Sequence, residues 1–327
     1  MPYTEETITI QGAYPLGATL TLPLLEAGRK APAILIVPGT GANDRDGNNR
    51  MLKMNLYKDL TQFLGEQGCI ALRYDKRGSY ASGGDAAAAG LWDLADDAAA
   101  CADFLRAHPM ADPERVFVLG HSEGAMLAPA LFVKRPWIGG LLLIAGSAFS
   151  LKDISARQSE QALLELSQLN GWKGALVRLL RIPERARRQN KKIIERLLAS
   201  EEPAVRIKGK RMNAKWFREH YAYRPSDILA EVTCPVLAVT GTKDIQVPPE
   251  HARLLAESVS GPSEWHLIPD MTHILKKTGE TPTMLGLLKL YKKLTPVPLD
   301  PELLAVLADW LKRHTRLHSQ EVGSESL

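Results

Sequence analysis

The sequence predicts an α/β protein in which a mostly parallel β-sheet is covered by helices on both faces. Three continuous apolar runs of strand length carry this prediction: Ala33–Val37, Val116–Leu119 and Leu141–Ala145. Strands buried on both faces have this composition, whereas half-exposed strands alternate apolar and polar residues. Segments with helical spacing separate the runs. Strands that alternate with helices favour a parallel sheet with right-handed crossovers.

The first half of the chain supplies most of these elements. Residues 3–24 alternate apolar and polar residues in two pieces separated by glycines, which predicts an antiparallel hairpin. The strand Ala33–Val37 ends in a Pro-Gly-Thr-Gly cluster. After it the spacing predicts a helix at about 56–64 that Gly68 terminates, a strand at Cys69–Tyr74, a helix at Leu91–Leu105, the strand Val116–Leu119 with its following helix, and the strand Leu141–Ala145.

The alternation of strands and helices stops after Ser147 and resumes at Pro235. From about 150 to 225 the pattern is helical and predicts no strand. We therefore expect an α/β core formed by residues 1–147 and 229–327, and a helical cap insertion formed by residues 148–228.

The strands and helices predicted after Pro235 continue the core. Strands are predicted at Pro235–Val239 and Trp265–Ile268, with a helix from about Glu250 between them. The pair Asp300-Pro301 is typical of a helix start, because Asx caps the first turn and proline suits the first helical position. Residues from about 315 onward are predicted to form a polar tail.

The composition is ordinary for a globular protein: 327 residues, of which 45% are apolar and 24% charged. No apolar run approaches about 20 residues, so no membrane span is expected. The first ten residues have neither a basic leader nor an apolar core, so no signal peptide is expected. Cys69, Cys101 and Cys234 form no Cys-x-x-Cys pair and lie in or beside apolar elements, which predicts reduced core residues and a cytoplasmic location.

The predicted insertion is strongly basic. Between Ser150 and Pro225 there are eighteen lysines and arginines but eight acidic residues, although the whole chain has a net charge of only +4. A basic cluster within it consists of Arg185, Arg187, Arg188, Lys191 and Lys192. Either these residues form solvated helix faces, or they attract an anionic substrate or surface. No interleaved aromatic pattern supports a nucleic-acid partner, and no metal site is expected.

The motif that most strongly indicates a catalytic site is Gly-His-Ser-Glu-Gly at 120–124. It follows a predicted strand and precedes a predicted helix. A serine at the apex of such a turn has strained backbone, and side chains two positions away on either side would collide, so both positions require glycine. The turn lifts the Ser122 hydroxyl clear of the sheet. The alternative is a plain strand–loop–helix joint with an incidental serine.

Serine needs an adjacent base to become a nucleophile, and on a turn of this kind the partners follow in the order serine, acid, histidine. Asp244 follows the strand Pro235–Val239, and His273 follows the next strand, Trp265–Ile268. We therefore predict that His273 takes the Ser122 proton and that Asp244 orients the imidazole.

Other residues compete for these roles. Asp244 could be a simple turn former, and Asp270 is the rival acid, but Asp270 is too close to His273 and follows the wrong strand. His266 is the rival base, but it lies inside a strand. His121 is expected to pack or to position a loop.

Acyl transfer also needs hydrogen-bond donors for the developing oxyanion. The backbone N–H of Glu123, directly after the nucleophile, is one candidate. The second should come from the loop after Ala33–Val37, where we select Thr40, with Gly41 as the alternative. The competing interpretation of this loop is a glycine-rich turn without such a role.

These motifs together resemble the α/β-hydrolase superfamily and, within it, the serine esterase/lipase and dienelactone hydrolase-like branch. The similarity rests on GHSEG, on the order Ser122–Asp244–His273, and on the loops PGTGANDRDG and YDKRGSYASGG, and it covers about residues 30–315. The sequence differs from the usual pattern of this branch at Pro38, where histidine is common, and at Tyr80, where glycine is usual. The resemblance implies that Tyr80 narrows the substrate pocket and that the charges Asp44, Arg45, Asp46, Asp75 and Arg77 brace loops.

The sequence thus predicts a serine hydrolase that cleaves a small carboxylic ester through an acyl-enzyme and without a metal or cofactor. If the basic cluster contacts the substrate, an anionic ester is expected. A thioesterase, amidase or acyltransferase could use the same three residues. A ligand-binding module that performs no chemistry is the alternative of a different class.

Overall fold

A computed structural model describes residues 1–315, apart from the side chain of Lys173. Its strands are β1 (Tyr3–Gln11), β2 (Pro15–Pro23), β3 (Ala31–Val37), β4 (Ile70–Tyr74), β5 (Ala111–His121), β6 (Gly140–Ile144), β7 (Ala204–Ile207), β8 (Lys210–Asn213), β9 (Val236–Gly241) and β10 (Ser263–Ile268). Its α-helices are α1 (Leu56–Glu66), α2 (Leu91–Ala107), α3 (Glu123–Lys134), α4 (Leu151–Ser167), α5 (Gly171–Leu179), α6 (Ile182–Ala199), α7 (Ala214–Ala222), α8 (His251–Glu257), α9 (Leu287–Leu294) and α10 (Pro301–His314).

Eight of these strands form one sheet in the order β1-β2-β4-β3-β5-β6-β9-β10. The first two strands are an antiparallel hairpin, and β2 pairs antiparallel with β4, whereas every pair from β4 to β10 is parallel. The predicted mostly parallel sheet and its opening hairpin are therefore confirmed. The parallel strands bring the loops that follow β3, β5, β9 and β10 to the same edge, where ligand crevices form in open α/β sheets.

Helices cover the sheet on both faces, as predicted. Side chains of β3 alternate between two apolar clusters: Leu35 belongs to one together with buried residues of α2, α3 and α8, and Ile36 belongs to the other together with residues of α1, α9 and α10. A strand whose successive side chains are all buried cannot show polar alternation. This explains why the apolar runs were visible in the sequence.

The predicted helix ends and buried cysteines are also confirmed. Gly68 follows α1 with a φ of +82°, a conformation that favours glycine, and the Asp300 carboxylate accepts a hydrogen bond from the backbone N–H of Glu302 at the start of α10. Cys69, Cys101 and Cys234 are free and buried. Among residues 1–315 no helix is both long enough and apolar enough to cross a bilayer. The predicted tail lies almost wholly outside the described residues.

Residues 148–228, called the insertion below, lie between β6 and β9 and contain α4 to α7 together with β7 and β8. The prediction that this stretch has no strand is wrong, because β7 and β8 form an antiparallel hairpin around Lys208 and Gly209, both at positive φ. Each strand has four residues and much exposed surface, so neither produces an apolar run. The available signal was the Lys-Gly turn between short alternating segments. That the insertion is a separate cap domain remains a prediction.

Candidate active site

The Gly-His-Ser-Glu-Gly motif forms a sharp turn between β5 and α3. Ser122 has φ 56° and ψ −113°, which is strained for a residue with a side chain. A Cβ atom on Gly120 would lie 2.4 Å from the carbonyl oxygen of Gly124, and a Cβ atom on Gly124 would lie 2.0 Å from that of Val37. Both distances are far below van der Waals contact. The turn therefore excludes side chains at both positions, as predicted.

The structure brings together the three side chains that were predicted to act as one unit. Ser122 Oγ lies 3.0 Å from Nε2 of His273, and Nδ1 of His273 lies 2.7 Å from Oδ2 of Asp244. The other oxygen of Asp244, Oδ1, accepts the backbone N–H groups of Gln246 and Val247 at 2.8 and 3.0 Å. Because an ionised carboxylate only accepts, Nδ1 carries the imidazole proton, and Nε2 is free to accept from the serine hydroxyl.

The rival acid and base lie elsewhere. Asp270 forms an ion pair of 2.8 Å with Lys243, and this hydrogen-bonded ammonium lowers the pKa of the Asp270 carboxyl. His266 lies within β10, opposite Val239. Neither residue lines the cavity that contains Ser122.

His121 is buried directly behind the site and links two of its loops. The backbone N–H of Gly39 donates to Tyr57 Oη at 2.7 Å, and Oη lies 3.0 Å from Nδ1 of His121. Nε2 of His121 lies 2.9 Å from the backbone carbonyl of His273. The ring thus accepts from Tyr57 and donates to His273, which is a loop-positioning arrangement. Tyr57 was not predicted, since in the sequence it is one apolar position of α1.

His121 gives a prediction about stability at acid pH. Burial, and then the neighbouring His273, lower the pKa of His121 to about 3, so the folded protein keeps this ring neutral. An unfolded chain binds a proton there below about pH 6.5. The free energy of unfolding therefore decreases as the pH falls from 6.5 towards 3, by at most about 1.4 kcal/mol per pH unit.

We expect the free energy of unfolding, measured with urea at pH 7 and pH 4.5, to fall by about 2 kcal/mol more in the wild type than in His121→Gln. Glutamine retains one donor and one acceptor but does not titrate. Equal losses in the two proteins would contradict a neutral, buried His121.

The two candidate oxyanion donors lie beside Ser122. Gly39 approaches so closely that a Cβ atom there would lie 3.1 Å from Ser122 Cβ, and its N–H is already bound to Tyr57. The next N–H groups in this loop belong to Thr40 and Gly41. Within residues 1–315 the backbone N–H groups of Thr40, of the alternative Gly41 and of Glu123 have no hydrogen-bond acceptor. All three are therefore available to a bound substrate.

A buried polar cluster surrounds the Glu123 side chain. Its Oε2 accepts from Lys76 Nζ at 2.5 Å, and its Oε1 accepts from Trp216 Nε1 at 2.8 Å and lies 2.9 Å from Nε2 of His220. Lys76 also donates to the backbone carbonyl of Gly39 at 2.6 Å. Burial would raise the pKa of Glu123, but Lys76 and His220 outweigh it and hold that pKa well below its usual range. Sequence reasoning missed this cluster, because the position after Ser122 carries no residue preference in the Gly-x-Ser-x-Gly motif.

Ser122 opens into a cavity of about 1150 Å³ whose wall includes Thr40, Gly41, Tyr80 and His273. The insertion supplies one side of the wall, with Leu151, Ile154, Ser155, Gln158, Trp216, Phe217, His220 and Tyr221. Outside the insertion, the wall includes the apolar residues Met51, Leu52, Met54, Leu56, Ile274 and Leu288. Tyr80 has a φ of +47°, and its hydroxyl donates to the carbonyl of Ala42 at 3.2 Å.

The basic cluster of the insertion lies away from this cavity. None of its five residues lines the wall, where Arg50 is the only lysine or arginine among the described residues. Arg187 instead pairs with Glu160 on α4 at 2.6 Å, and both side chains are more than half exposed. The cluster is therefore not placed to touch a molecule bound at Ser122.

The charges predicted to brace loops do so. Asp75 accepts the backbone N–H of Arg45 at 2.7 Å and pairs with its guanidinium at 2.8 Å, and Arg77 pairs with the buried Asp97 of α2 at 2.7 Å. These bonds fix the loops that follow β3 and β4.

Comparison with solved structures identifies the fold. The α/β hydrolase GrgF from Penicillium sp. sh18 has a TM-score of 0.59 at 17% identity, covering 96% of this chain and 99% of its own. Est1E from Butyrivibrio proteoclasticus, solved with ferulic acid, has a TM-score of 0.56 at 19% identity, covering 88% of this chain and 96% of its own. At these identities the similarity establishes the α/β-hydrolase fold alone.

Two sequence comparisons identify the family. Esterase EstD of Thermotoga maritima is 27% identical over 278 residues, which cover 84% of this chain and 60% of the relative, so the chain spans about three fifths of the length of that curated relative. Residues 51–277 match the sequence model of the family described as serine aminopeptidase, S33. Since the match includes more than two thirds of the chain, with Ser122, Asp244 and His273 inside it, the protein belongs to the serine aminopeptidase S33 family of α/β hydrolases.

Proposed function

We propose that the protein is a serine hydrolase that cleaves uncharged carboxylic esters through an acyl-enzyme intermediate. The observation that carries this proposal is the hydrogen-bonded series from Ser122 through His273 to Asp244, which opens into a largely apolar cavity. The relative EstD is named an esterase, which agrees with this proposal.

Acylation follows from the positions of the polar atoms. As Ser122 Oγ attacks the carbonyl carbon of the ester, Nε2 of His273 takes the hydroxyl proton, and Asp244 stabilises the imidazolium that forms. The negative charge that develops on the carbonyl oxygen is stabilised by the N–H groups of Thr40 and Glu123. His273 then gives its proton to the departing alkoxide, which leaves as the alcohol, and the acyl group stays on Ser122.

Deacylation repeats these steps with water. Nε2 of His273 removes a proton from a water molecule as its oxygen attacks the acyl carbon, and returns a proton to Ser122 Oγ as the carboxylic acid leaves. The insertion forms one wall of the cavity, so we assign residues 148–228 as a cap that shapes the acyl or alcohol subsite together with Tyr80.

An aminopeptidase activity, which the family description suggests, has less support here. An aminopeptidase must bind the charged amino terminus of a peptide, and a carboxylate is the usual partner for such a cation. Among the described residues Glu123 is the only carboxylate in the cavity wall, and Lys76, Trp216 and His220 already occupy its oxygens. This favours ester over aminopeptide substrates.

A fluorophosphonate probe tests the proposal, because it reacts only with an activated serine. We expect stoichiometric labelling that peptide mass spectrometry assigns to Ser122, together with turnover of p-nitrophenyl butyrate but not of alanine p-nitroanilide. A protein that stays unlabelled would instead be a binding module, and rapid cleavage of the anilide would favour an aminopeptidase.

A further inference from the structure

We propose that Lys76 is a positioning residue that builds the oxyanion hole by joining its two donors, an inference that rests on the proposed function. Lys76 lies in the loop after β4 and belongs to no part of the reaction described above. Its ammonium contacts one residue on each side of the hole, Gly39 and Glu123.

The contact with Gly39 acts on the first donor. A peptide bond is planar and trans, so the carbonyl of Gly39 and the N–H of Thr40 belong to one rigid unit and point in opposite directions. The 2.6 Å bond from Lys76 Nζ to the carbonyl oxygen therefore fixes the direction of the Thr40 N–H. A charge-assisted bond to the carbonyl also polarises the peptide and makes its N–H a stronger donor.

The contact with Glu123 acts on the second donor. Glu123 supplies the other N–H to the hole, and its side chain is held by the same ammonium at 2.5 Å. One ammonium thus sets the spacing between the loop after β3 and the start of α3. Oxyanion donors need such fixed geometry, because a displacement of 1 Å can lower a rate by about 10²-fold.

The ammonium also offsets an unfavourable charge. The carboxylate of Glu123 is buried one residue from Ser122, where it would oppose a negative charge developing on the substrate. Lys76 shares this carboxylate with Trp216 and His220 of α7, so the insertion is tied to the oxyanion hole through the same cluster.

The alternative is that Lys76 is only a counterion for Glu123. A double variant separates the two roles, because Lys76→Met with Glu123→Gln removes both charges and leaves no unpaired buried ion. If Lys76 positions the donors, Lys76→Met should lower kcat for p-nitrophenyl butyrate by about 10- to 100-fold and change KM by less than about 3-fold. The double variant should then recover the thermal stability lost in Lys76→Met, but its kcat should stay low.

A trifluoromethyl ketone gives a readout of the hole itself, since it adds to the serine and places an oxyanion there. We expect its Ki to rise in Lys76→Met and in the double variant by the same factor by which kcat/KM falls. Lys276 offers a matched control: it is buried and donates to the carbonyls of Met54 and Thr295, and Lys276→Met should lower thermal stability without this selective loss of inhibitor affinity.

Two outcomes would overturn the inference while leaving the proposed function intact: a double variant with wild-type kcat, or a ketone Ki unchanged in Lys76→Met. A wild-type protein that neither turns over esters nor reacts with the fluorophosphonate would overturn both proposals together.

Discussion

Replacing Ser122 with alanine is expected to lower kcat/KM for p-nitrophenyl butyrate by about 10⁴-fold or more, because no other group can form the acyl-enzyme. The fold should survive, since alanine occupies the strained backbone at φ 56° about as readily as serine does. The measurement is steady-state hydrolysis, with circular dichroism to confirm folding.

A second serine–histidine pair, whose serine also lines the cavity, provides the control. Ser147 Oγ lies 3.1 Å from Nδ1 of His251, but it is also bound to the backbone N–H and carbonyl of Phe149. We expect Ser147→Ala to retain more than a tenth of wild-type kcat/KM. Near-complete loss in Ser147→Ala with substantial activity in Ser122→Ala would reverse the assignment of the nucleophile.

Asp244→Asn is expected to lower kcat by about 10³- to 10⁴-fold without loss of structure. Oδ1 of Asp244 accepts the N–H groups of Gln246 and Val247, so an asparagine must keep its oxygen there and turn its NH₂ group towards His273. Nδ1 would then have to accept, the imidazole proton would move to Nε2, and the ring could no longer take the proton of Ser122.

Asp270→Asn is the matched control, because it makes the same change at the rival acid. Asp270 is partly exposed and pairs with Lys243, so we expect kcat within about 2-fold of the wild type. Comparable losses in the two variants would mean that neither carboxylate has a specific role at His273.

The fold and the three central side chains could be predicted because their signals are local. The strands β3, β5 and β6 are buried on both faces and therefore appear as apolar runs. Ser122 lies on a turn whose two glycines are required by contacts of 2.4 and 2.0 Å. Asp244 and His273 were placed by the rule that the acid and the histidine follow successive strands, and the sheet brings both to the edge that holds the serine.

The hairpin β7–β8 shows where local signals fail. Its strands have only four residues each, and neither contains a continuous apolar run of strand length. Their apolar side chains Val205, Ile207 and Met212 pack within the insertion, in or against a small cluster that includes Leu197 and Ala214. That the basic cluster lies away from the cavity could not be predicted either, because a count of charged residues does not say where their side chains lie in the fold.

By itself, the sequence determined which residues could form strands, where the backbone must turn sharply and in what order the serine, acid and histidine occur, because each follows from burial or sterics within a few residues. The tertiary structure alone decided that Lys76, Glu123 and His220 meet beside the loop that follows β3, and that Tyr57 and His121 connect that loop to His273. These contacts join residues that are tens of positions apart. A charged or polar side chain is buried favourably only beside a suitable partner, and no periodic pattern in the sequence identifies that partner.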